Sequence, residues 1–368
     1  MEYTKLGDSD LVVSKICMGT MTFGRQNTLE DGVEQLTKAF DEYGINFIDT
    51  AEMYPVPTQP ETAGDTDRTV AAFLKTRKRS DVILATKVSG TSDRINWLRS
   101  NGELCKLNKA QITESIDASL KRLEVDYIDL LQLHWPDRYV GGLFGQPDYD
   151  VNKENEEGKD TSFEEQLSAL NDAVKAGKVR YIGVSNETPY GVMEMTHLAR
   201  RYPDLYPKIV SIQNSYSLIV RKDYDAGLTE CCSPRNCNVG LLAYSPLAGG
   251  ILSGKYAKNK VDEKARLNLF PGFMARYKDS QVEKAVAAYS SIASSHGLTP
   301  TELSLSWCYH RSNVASSIIG ATTLEQLEEN LKAFDVRLTA ECLEEIEDVY
   351  KVFTDPTKAY GVGKKAAD

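Results

Sequence analysis

The chain alternates eight short apolar segments with amphipathic segments along nearly all of its 368 residues. A short apolar run is typical of a buried strand, whereas apolar residues at every third or fourth position predict a helix that faces a core. The predicted strands are 16–18, 46–48, 82–85, 127–133, 181–184, 209–212, 240–243 and 316–319. Strands that alternate with helices indicate a parallel sheet. Eight such units favour an α/β fold of the closed (β/α)8 type, a TIM barrel, over an open sheet.

Amphipathic helices are predicted between and after these strands, and several of them carry end signals. Gly44 ends the first helix, Asn108 is placed to cap the third, and Pro189 occupies a first turn. The predicted helices are 29–43, 65–75, 108–123, 163–175, 189–202, 282–295, 301–309, 324–333 and 340–350. The last of these is expected to close the chain as a C-terminal helix.

Other segments predict an N-terminal β-hairpin and two long loops. Turn residues separate two short apolar pieces within residues 3–13, which is typical of a hairpin. Residues 88–107 and 137–161 are rich in Gly, Asp and Asn and follow the third and fourth strands. We therefore expect them on the C-terminal face of the barrel. No change of composition marks a boundary, so we interpret residues 1–368 as a single barrel domain.

Composition and missing motifs argue against several classes of function. The chain has 43 basic and 53 acidic residues, a formal charge of −10, which is not typical of a nucleic-acid or anionic-membrane binder. No apolar run approaches the roughly 20 residues of a membrane span, and the first residues do not resemble a signal peptide. We therefore expect a cytoplasmic protein. No G-x-G-x-x-G opens a helix after an early strand, which counts against a dinucleotide-binding open sheet.

Seven cysteines with irregular spacing favour reduced thiols. Cys231, Cys232 and Cys237 are close in sequence but lack the paired C-x-x-C spacing of zinc sites. Three of the four histidines, His197, His296 and His310, fall on or directly after predicted helices, which argues against a histidine-rich metal site. The sequence therefore predicts no bound metal.

Polar residues follow the predicted strands at the positions where a barrel of this type places its site. They are Gly19, Asp49, Lys87, His134, Ser185 with Asn186, Gln213, Tyr244 and Gly320. Taken singly, each has an ordinary explanation: His134 fits a hydrogen-bonded core histidine about as well, and Lys87 fits a solvated loop tip. Taken together, the set indicates a functional site at the C-terminal ends of the strands.

Four residues near these strand ends suit the protonation of an alkoxide. The phenol of Tyr54 has an ordinary pKa of about 10, and an ammonium group from Lys87 is expected to lower it. Asp49 would anchor that lysine at the barrel rim. His134 could donate a hydrogen bond to a carbonyl oxygen. The group predicts a general acid that acts during hydride transfer to a carbonyl.

A second set of residues suits the flat ring of a reducing cofactor. Ser185, Asn186 and Gln213 offer hydrogen-bonding groups at neighbouring strand ends, as a carboxamide would require. Tyr244 could stack on an aromatic ring. These four residues therefore suit a flat ring that carries a carboxamide.

Two loops suit the phosphates of such a cofactor. Residues 245–256 contain small residues that let backbone amides approach phosphate oxygens, and Lys255 adds positive charge. Residues 320–323 open a helix, whose N-terminus favours an anion. The alternative interpretation of 245–256 is a flexible loop and nothing more.

These motifs resemble those of the aldo-keto reductases over nearly the whole chain. The matching segments are 49–54 (DTAEMY), 85–87 (ATK), 131–136 (LQLHWP), 177–186 (GKVRYIGVSN) and 242–247 (LAYSPL). Residues 55–62 (PVPTQPET) look most like the Tas branch of bacterial aldo-keto reductases. That branch lies near the β subunits of voltage-gated potassium channels.

The resemblance implies an NADPH-dependent reductase of aldehydes or ketones with a small-molecule carbonyl substrate. Asp49, Tyr54, Lys87 and His134 would form the catalytic tetrad, with Tyr54 as the proton donor. Arg266 is the expected contact to a 2′-phosphate, because a guanidinium group pairs well with phosphate. The full expected cofactor set is Gly19, Thr20, Met21, Asp49, Ser185, Asn186, Gln213, Tyr244, Ser245, Pro246, Leu247, Gly249, Gly250, Leu252, Gly254, Lys255, Arg266, Gly320, Thr322, Gln326, Glu329 and Asn330.

The long loops depart from the shorter family members, so the resemblance does not transfer a particular substrate. The expected substrate pocket consists of Met21, Tyr54, Trp97, His134 and Trp135, with residues 137–161 as a lid. A second interpretation is a cofactor-sensing regulatory or partner-binding subunit with little turnover, as the channel subunits suggest. Those subunits typically carry asparagine at the position of His134, so the histidine favours a working enzyme. The sequence leaves the oligomeric state open.

Overall fold

The computed structural model describes residues 1–141, 148–154, 160–256 and 263–359. An antiparallel pair, β1 (Tyr3–Lys5) and β2 (Val12–Ser14), precedes the main sheet. The main strands are β3 (Ile16–Gly19), β4 (Phe47–Asp49), β5 (Ile83–Val88), β6 (Ile128–Leu133), β7 (Val179–Ser185), β8 (Ile209–Ser215), β9 (Gly240–Tyr244) and β10 (Val314–Ile319). Each is parallel to its neighbours, and β10 pairs with β3 to close a barrel. The predicted (β/α)8 barrel and N-terminal hairpin are thus confirmed.

Helices lie between and after the strands. They are α1 (Leu29–Tyr43), α2 (Asp65–Leu74), α3 (Lys109–Leu123), α4 (Phe163–Lys175), α5 (Pro189–Arg201), α6 (Lys222–Asp225), α7 (Leu228–Cys232), α8 (Arg266–Leu269), α9 (Ser280–Ser295), α10 (Pro300–Tyr309), α11 (Leu324–Lys332) and α12 (Ala340–Val352). Short 3-10 segments lie at Pro60–Thr62, Arg79–Asp81, Val151–Lys153, Ala248–Ser253, Ala275–Lys278 and Pro356–Ala359. The sequence does not predict α6, α7 and α8, because a segment of four or five residues is too short to show a helical period.

Local capping explains why several helix ends agree with the prediction. Thr28 accepts a hydrogen bond from the backbone of Asp31, whose side chain accepts one from the backbone of Thr28 in return. Gly44 ends the same helix with a φ of 69°, a conformation that costs glycine little. Asn108 caps α3 as predicted. These signals act within four residues and can therefore be recognised from the sequence.

Two strands extend further than their apolar runs indicate. The run in β5 was expected to end at Ala85, yet Lys87 pairs with Gln132 in the strand ladder. Likewise β8 continues through Gln213, which pairs with Ser185. Lys87 and Gln213 are therefore strand residues rather than residues just beyond a strand. Backbone hydrogen bonds continue past the point where the side chains become polar.

The N-terminal hairpin closes the lower end of the barrel. Leu6, Leu11 and Val13 belong to the same buried cluster as the inward-facing strand residues Phe47 and Leu130. At the hairpin turn, a Cβ on Gly7 would lie 2.2 Å from the carbonyl oxygen of Val210, so only glycine fits there. The barrel is consequently filled at its N-terminal end, and any open site must lie at the C-terminal end.

The two predicted loops differ in how far the structure describes them. Residues 89–108 follow β5, and the indole N–H of Trp135 donates to the carbonyl of Thr91 at 2.8 Å. The predicted lid at 137–161 includes 142–147 and 155–159, which lie outside the described residues.

Three further observations concern only the described residues. No helix among them is both long and apolar enough to cross a membrane. No group of three or more His, Cys, Asp or Glu side chains in those ranges is arranged to hold a metal ion. All seven cysteines are free of disulfide bonds.

Candidate active site

A buried lysine joins the two predicted acid–base residues at the C-terminal end of the barrel. Lys87 Nζ donates to Asp49 Oδ2 at 2.6 Å and to the carbonyl oxygen of Thr50 at 2.9 Å. It also lies 3.3 Å from the hydroxyl oxygen of Tyr54. Lys87 is fully buried and Tyr54 is 8 % exposed. The structure thus brings together three residues that span 38 positions of the sequence from Asp49 to Lys87.

The charges at this position are coupled. Burial disfavours the ammonium form of Lys87, but the carboxylate of Asp49 and the phenol of Tyr54 outweigh burial and raise its pKa above 10.5. Burial raises the pKa of Tyr54 above 10, although Lys87 acts in the opposite direction. The predicted lowering of this pKa by Lys87 is wrong, because desolvation has the larger effect. Tyr54 therefore carries its proton at neutral pH, as a general acid must.

His134 lies beside the phenol as a neutral imidazole. Its ring centroid is 5.9 Å from that of Tyr54, in an edge-on arrangement. Burial, followed by the charge of Lys87, lowers the pKa of His134 well below 6.5. Its Nδ1 is buried without a hydrogen-bond partner among the described residues. His134 also lines the cavity described below, so a neutral hydrogen-bonding ring lies beside the predicted acid.

Two glutamines hold the other oxygen of Asp49. Gln213 Nε2 donates to Asp49 Oδ1 at 2.8 Å, and Gln132 Nε2 approaches the same oxygen at 3.3 Å. Gln213, predicted to hold a carboxamide, thus also orients the carboxylate that anchors Lys87. The sequence analysis missed Gln132. An amide within the apolar run of β6 was the signal, because a buried amide needs a partner.

A cavity of about 1100 Å³ opens above these residues. Asp49, Tyr54 and His134 are among its lining residues. The predicted cofactor positions on its wall are Gly19, Thr20, Met21, Asp49, Ser185, Asn186, Gln213, Tyr244, Ser245, Pro246, Leu247, Gly249, Gly250, Lys255, Arg266, Gly320, Thr322, Gln326, Glu329 and Asn330. Leu252 and Gly254 do not line it. Among the predicted substrate residues, Met21 and Trp135 line the cavity, whereas Trp97 lies in the 89–108 loop away from the wall.

Asn186 joins the histidine to the proposed stacking residue. It has a φ of 52°, a left-handed conformation that asparagine tolerates better than most residues. Its Nδ2 donates to the carbonyl of His134 at 2.9 Å, and its Oδ1 accepts from the hydroxyl of Tyr244 at 2.6 Å. The side chain therefore links the end of β7 to β6 and β9.

The loop after β9 contains several residues in the left-handed conformation. Ser245, Ala248, Gly249 and Gly250 all have positive φ values. A Cβ on Gly250 would lie 2.6 Å from Cε and 2.9 Å from Nζ of Lys255. The glycine thus lets the lysine fold back along the loop. In this geometry an anion could approach both the backbone amides of the loop and the ammonium group of Lys255.

The chain then crosses from the loop after β9 to the loop after β3, two strands away in the barrel. Arg266 Nε donates to Gln26 Oε1 at 3.2 Å. The guanidinium of Arg25 lies 5.2 Å from the ring centroid of Phe270. Arg266 is also close enough to Tyr54 to lower its pKa slightly against burial. The segment therefore covers part of the cavity, with Arg266 facing inward.

The cavity wall is basic although the protein is acidic. Among the described residues, its lining contains five basic side chains, Arg25, Lys255, Lys264, Arg266 and Arg276. Only Asp49 and Glu329 contribute acidic side chains to that lining. A chain of net charge −10 has thus concentrated positive charge in one elongated cleft. The donor set fits a multiply charged anion such as the phosphates of a dinucleotide.

Comparison with known proteins agrees with this geometry. A sequence model of the Aldo/keto reductase family matches residues 15–351. The chain belongs to the aldo/keto reductase family. The family is one of oxidoreductases that act on carbonyl compounds. The cavity beside Tyr54 is therefore where the chemistry of such an enzyme is expected.

Among its relatives, this aldo/keto reductase is 44 % identical over 361 residues to "Protein tas" of Escherichia coli, covering 97 % of the chain and 99 % of that protein. It is 42 % identical over 258 residues to an "Aldo-keto reductase" of Babesia bovis, covering 68 % and 89 %. It is 31 % identical over 358 residues to a "Probable voltage-gated potassium channel subunit beta" of Arabidopsis thaliana, covering 95 % and 96 %. The predicted family and Tas-type branch are therefore confirmed.

Several cavity residues of this aldo/keto reductase were not predicted. Arg25, Gln26, Lys264, Phe273 and Arg276 line the wall. They lie in loops or short helical segments without an apolar period or a recognised motif. The run of basic and aromatic residues after residue 263 was the only available signal.

Proposed function

We propose that this protein reduces aldehydes or ketones to alcohols with NADPH, and that Tyr54 donates the proton. The observation that carries the proposal is the position of Lys87 Nζ, 2.6 Å from Asp49 and 3.3 Å from the Tyr54 hydroxyl at the floor of a basic cavity. The substrate would be a small-molecule carbonyl compound bound in the cavity.

Each residue of this group has a distinct role in the proposal. A reduced nicotinamide, when bound, supplies the hydride. Tyr54 donates its proton to the alkoxide oxygen that forms from the carbonyl, and its raised pKa keeps that proton available at neutral pH. Lys87 stabilises the phenolate left behind, because its ammonium is held in place by Asp49. His134, neutral at that pH, orients the substrate oxygen by hydrogen bonding.

The basic wall supports NADPH over NADH in this proposal. A 2′-phosphate adds charge to the ligand, and Arg266 is the inward-facing guanidinium in the segment that covers the cleft. Ser185, Asn186 and Gln213 would hold the carboxamide, with Tyr244 against the ring. The loop after β9 and the start of α11 would hold the phosphates and adenosine.

Replacing Tyr54 by phenylalanine tests the proton donor. We expect Tyr54→Phe to lower carbonyl-dependent NADPH oxidation by about 10²–10⁴-fold, the range for loss of a general acid. Cofactor binding should stay near the wild-type value, because the hydroxyl is not a proposed cofactor contact. The matched control is Tyr127→Phe, at the opposite end of the barrel. Retained turnover in Tyr54→Phe would disprove the assignment.

Replacing Arg266 by alanine tests the cofactor. A hydrogen bond to a charged group is worth about 1.5–3 kcal/mol, so NADPH affinity should fall by roughly tenfold or more, with little change for NADH. Fluorescence titration of both nucleotides measures this, with Arg180→Ala at the barrel's lower end as the control. Equal affinities of the wild-type protein for the two nucleotides would refute the NADPH preference.

A regulatory or partner-binding subunit is the second candidate, because the relatives include the probable channel β subunit of Arabidopsis thaliana. His134 beside Tyr54 favours turnover. An aldehyde and ketone screen that follows cofactor absorbance separates the two candidates. Absence of turnover on the screen, together with a stoichiometric membrane partner in a pull-down, would reverse their order.

A further inference from the structure

One buried carboxylate connects the segment of Tyr54 to the strand of Lys87. Glu52 lies two residues before Tyr54 and is 2 % exposed. Its Oε1 accepts a hydrogen bond from the backbone N–H of Ser89 at 2.7 Å, two residues after Lys87. Its own backbone N–H donates to the carbonyl of Lys87 at 3.3 Å. Glu52 thus holds together the two chain segments that carry the proposed acid and its ammonium partner.

A buried guanidinium fixes this carboxylate in turn. Arg99, 3 % exposed, donates from Nη1 to Glu52 Oε2 at 2.9 Å and from Nη2 to Glu52 Oε1 at 3.0 Å. Ser115 Oγ donates to the second oxygen of Glu52 at 2.6 Å. Gln111 Oε1 accepts from Arg99 Nε at 2.9 Å. A two-pronged, desolvated pair of this kind defines geometry more sharply than a single contact.

The same connection continues into the wall of the cavity. Ser89 is followed by Gly90, where a Cβ would lie 2.3 Å from the carbonyl oxygen of Trp135. The next residue, Thr91, accepts a hydrogen bond from the Trp135 indole at 2.8 Å. Trp135 lines the cavity. The position of Ser89, which Glu52 fixes, therefore also determines the position of this wall.

We propose that Glu52, held by Arg99, is a positioning residue that sets the separation of Tyr54 and Lys87. The inference rests on the proposed function, because it assigns the proton transfer to Tyr54. The separation of 3.3 Å is at the long end of a hydrogen bond. A displacement of either segment would lengthen this contact and weaken the influence of the ammonium on the phenol.

The matched substitutions Glu52→Gln and Asp129→Asn test this role. Both turn a buried carboxylate into an amide; Glu52 accepts from the backbone just after β5, and Asp129 accepts from the backbone of β5 itself. Asp129 pairs with Arg79 and Arg180 at 2.7 Å each and accepts from the backbone N–H of Leu84 at 3.0 Å. It therefore serves the same strand at its N-terminal end, away from Tyr54. A merely structural role predicts equal consequences for the two variants.

The decisive measurement is the pH profile of kcat/KM for alcohol oxidation, in which Tyr54 must accept the proton. Lys87 lowers the pKa of Tyr54, so displacement in Glu52→Gln should move the profile to higher pH. The value of kcat for carbonyl reduction should fall on the order of tenfold, with little change in NADPH affinity. Asp129→Asn should lower the melting temperature and keep the wild-type profile. An unmoved profile in folded Glu52→Gln, or an equal shift in both variants, would overturn the proposal.

Glu52→Asp provides a second variant that keeps the charge opposite Arg99. The shorter side chain cannot span the distance to Ser89 and to Arg99 together, so we expect the same direction of shift in the profile. A wild-type profile in this variant would also overturn the proposal, even if Glu52→Gln does not fold.

A measurement without turnover separates this inference from the proposed function. Ultraviolet titration of tyrosinate formation, taken as wild type minus Tyr54→Phe, follows the phenol directly. The same difference, measured between Glu52→Gln and the double variant Glu52→Gln with Tyr54→Phe, should titrate at higher pH. Absence of turnover in the wild-type protein would contradict the proposed function, whereas an unchanged tyrosinate titration would contradict the positioning role alone.

Discussion

Each end of the barrel buries a carboxylate against one or more cations, but the surroundings of the two ion pairs differ. At the N-terminal end, Asp129 pairs with Arg79 and Arg180, whose side chains are 20 % and 40 % exposed. At the C-terminal end, Asp49 pairs with Lys87, which is fully buried. The first end is filled by the hairpin, whereas the second opens into a cavity of about 1100 Å³.

This difference separates stability from chemistry. Replacing a buried ion pair by apolar residues is often neutral or stabilising, so stability alone does not account for a desolvated pair at a cavity floor. Attraction between charges is stronger where water is excluded. The C-terminal pair can therefore control the proton of Tyr54, whereas the arginines of the N-terminal pair are partly hydrated.

The largest expected effect comes from removing the C-terminal cation. Lys87→Met should lower carbonyl reduction on the order of 10³-fold, within the range for a disabled general acid. It should also reduce the free energy of unfolding by about 3–5 kcal/mol, because Asp49 keeps a buried, unpaired charge. Steady-state kinetics and denaturant unfolding measure the two effects. The control is Lys15→Met at the other end, where Lys15 contacts only the carbonyl of Val314 among its described hydrogen bonds. Similar kinetic losses in both variants would contradict the comparison.

A substitution that creates a cavity at the N-terminal end of the barrel should reduce stability and leave catalysis unchanged. Leu11 is 2 % exposed within the hairpin that closes the barrel. Leu11→Ala should reduce the free energy of unfolding by about 2–5 kcal/mol, measured by urea denaturation. Under conditions where the variant is folded, kcat should remain at the wild-type value. A large loss of kcat in the folded variant would show that the two ends are not independent.

The smallest expected effect is a pH dependence of stability from His134. Its folded-state pKa lies well below 6.5 because of burial, so the unfolded chain takes up a proton there before the folded chain does. Its contribution to stability is full above pH of about 6.5 and is lost as the pH falls towards the folded-state pKa, by up to about 1.4 kcal/mol per pH unit.

Urea unfolding at several pH values measures this dependence. The loss on acidification should be smaller in His134→Asn than in the wild-type protein. The control is His197→Asn, on the exposed side of α5, which should follow the wild-type curve. Identical curves for all three proteins would contradict a buried neutral imidazole at position 134.

The sequence predicted those parts of the site that depend on short segments. Residues 49–54 place Asp49 and Tyr54 on one segment, and Lys87 and His134 follow apolar runs that are easily recognised. The direction of the pKa shift of Tyr54 was wrong, because burial is a property of the folded protein. Leu252 and Gly254 lie within the predicted phosphate loop but do not line the cavity, and Leu252 packs in the hydrophobic core instead.

The sequence by itself determined the alternation of strands and helices, and hence the barrel, because side-chain periods and caps act over a few residues. It also determined the family and four residues of the proposed chemistry through local motifs. Only the tertiary structure showed that Gln132 holds Asp49, that Arg99 neutralises Glu52 from 47 positions away, and that five basic residues share one wall. Such contacts join distant segments, and their existence depends on how the closed barrel brings separate loops to one end.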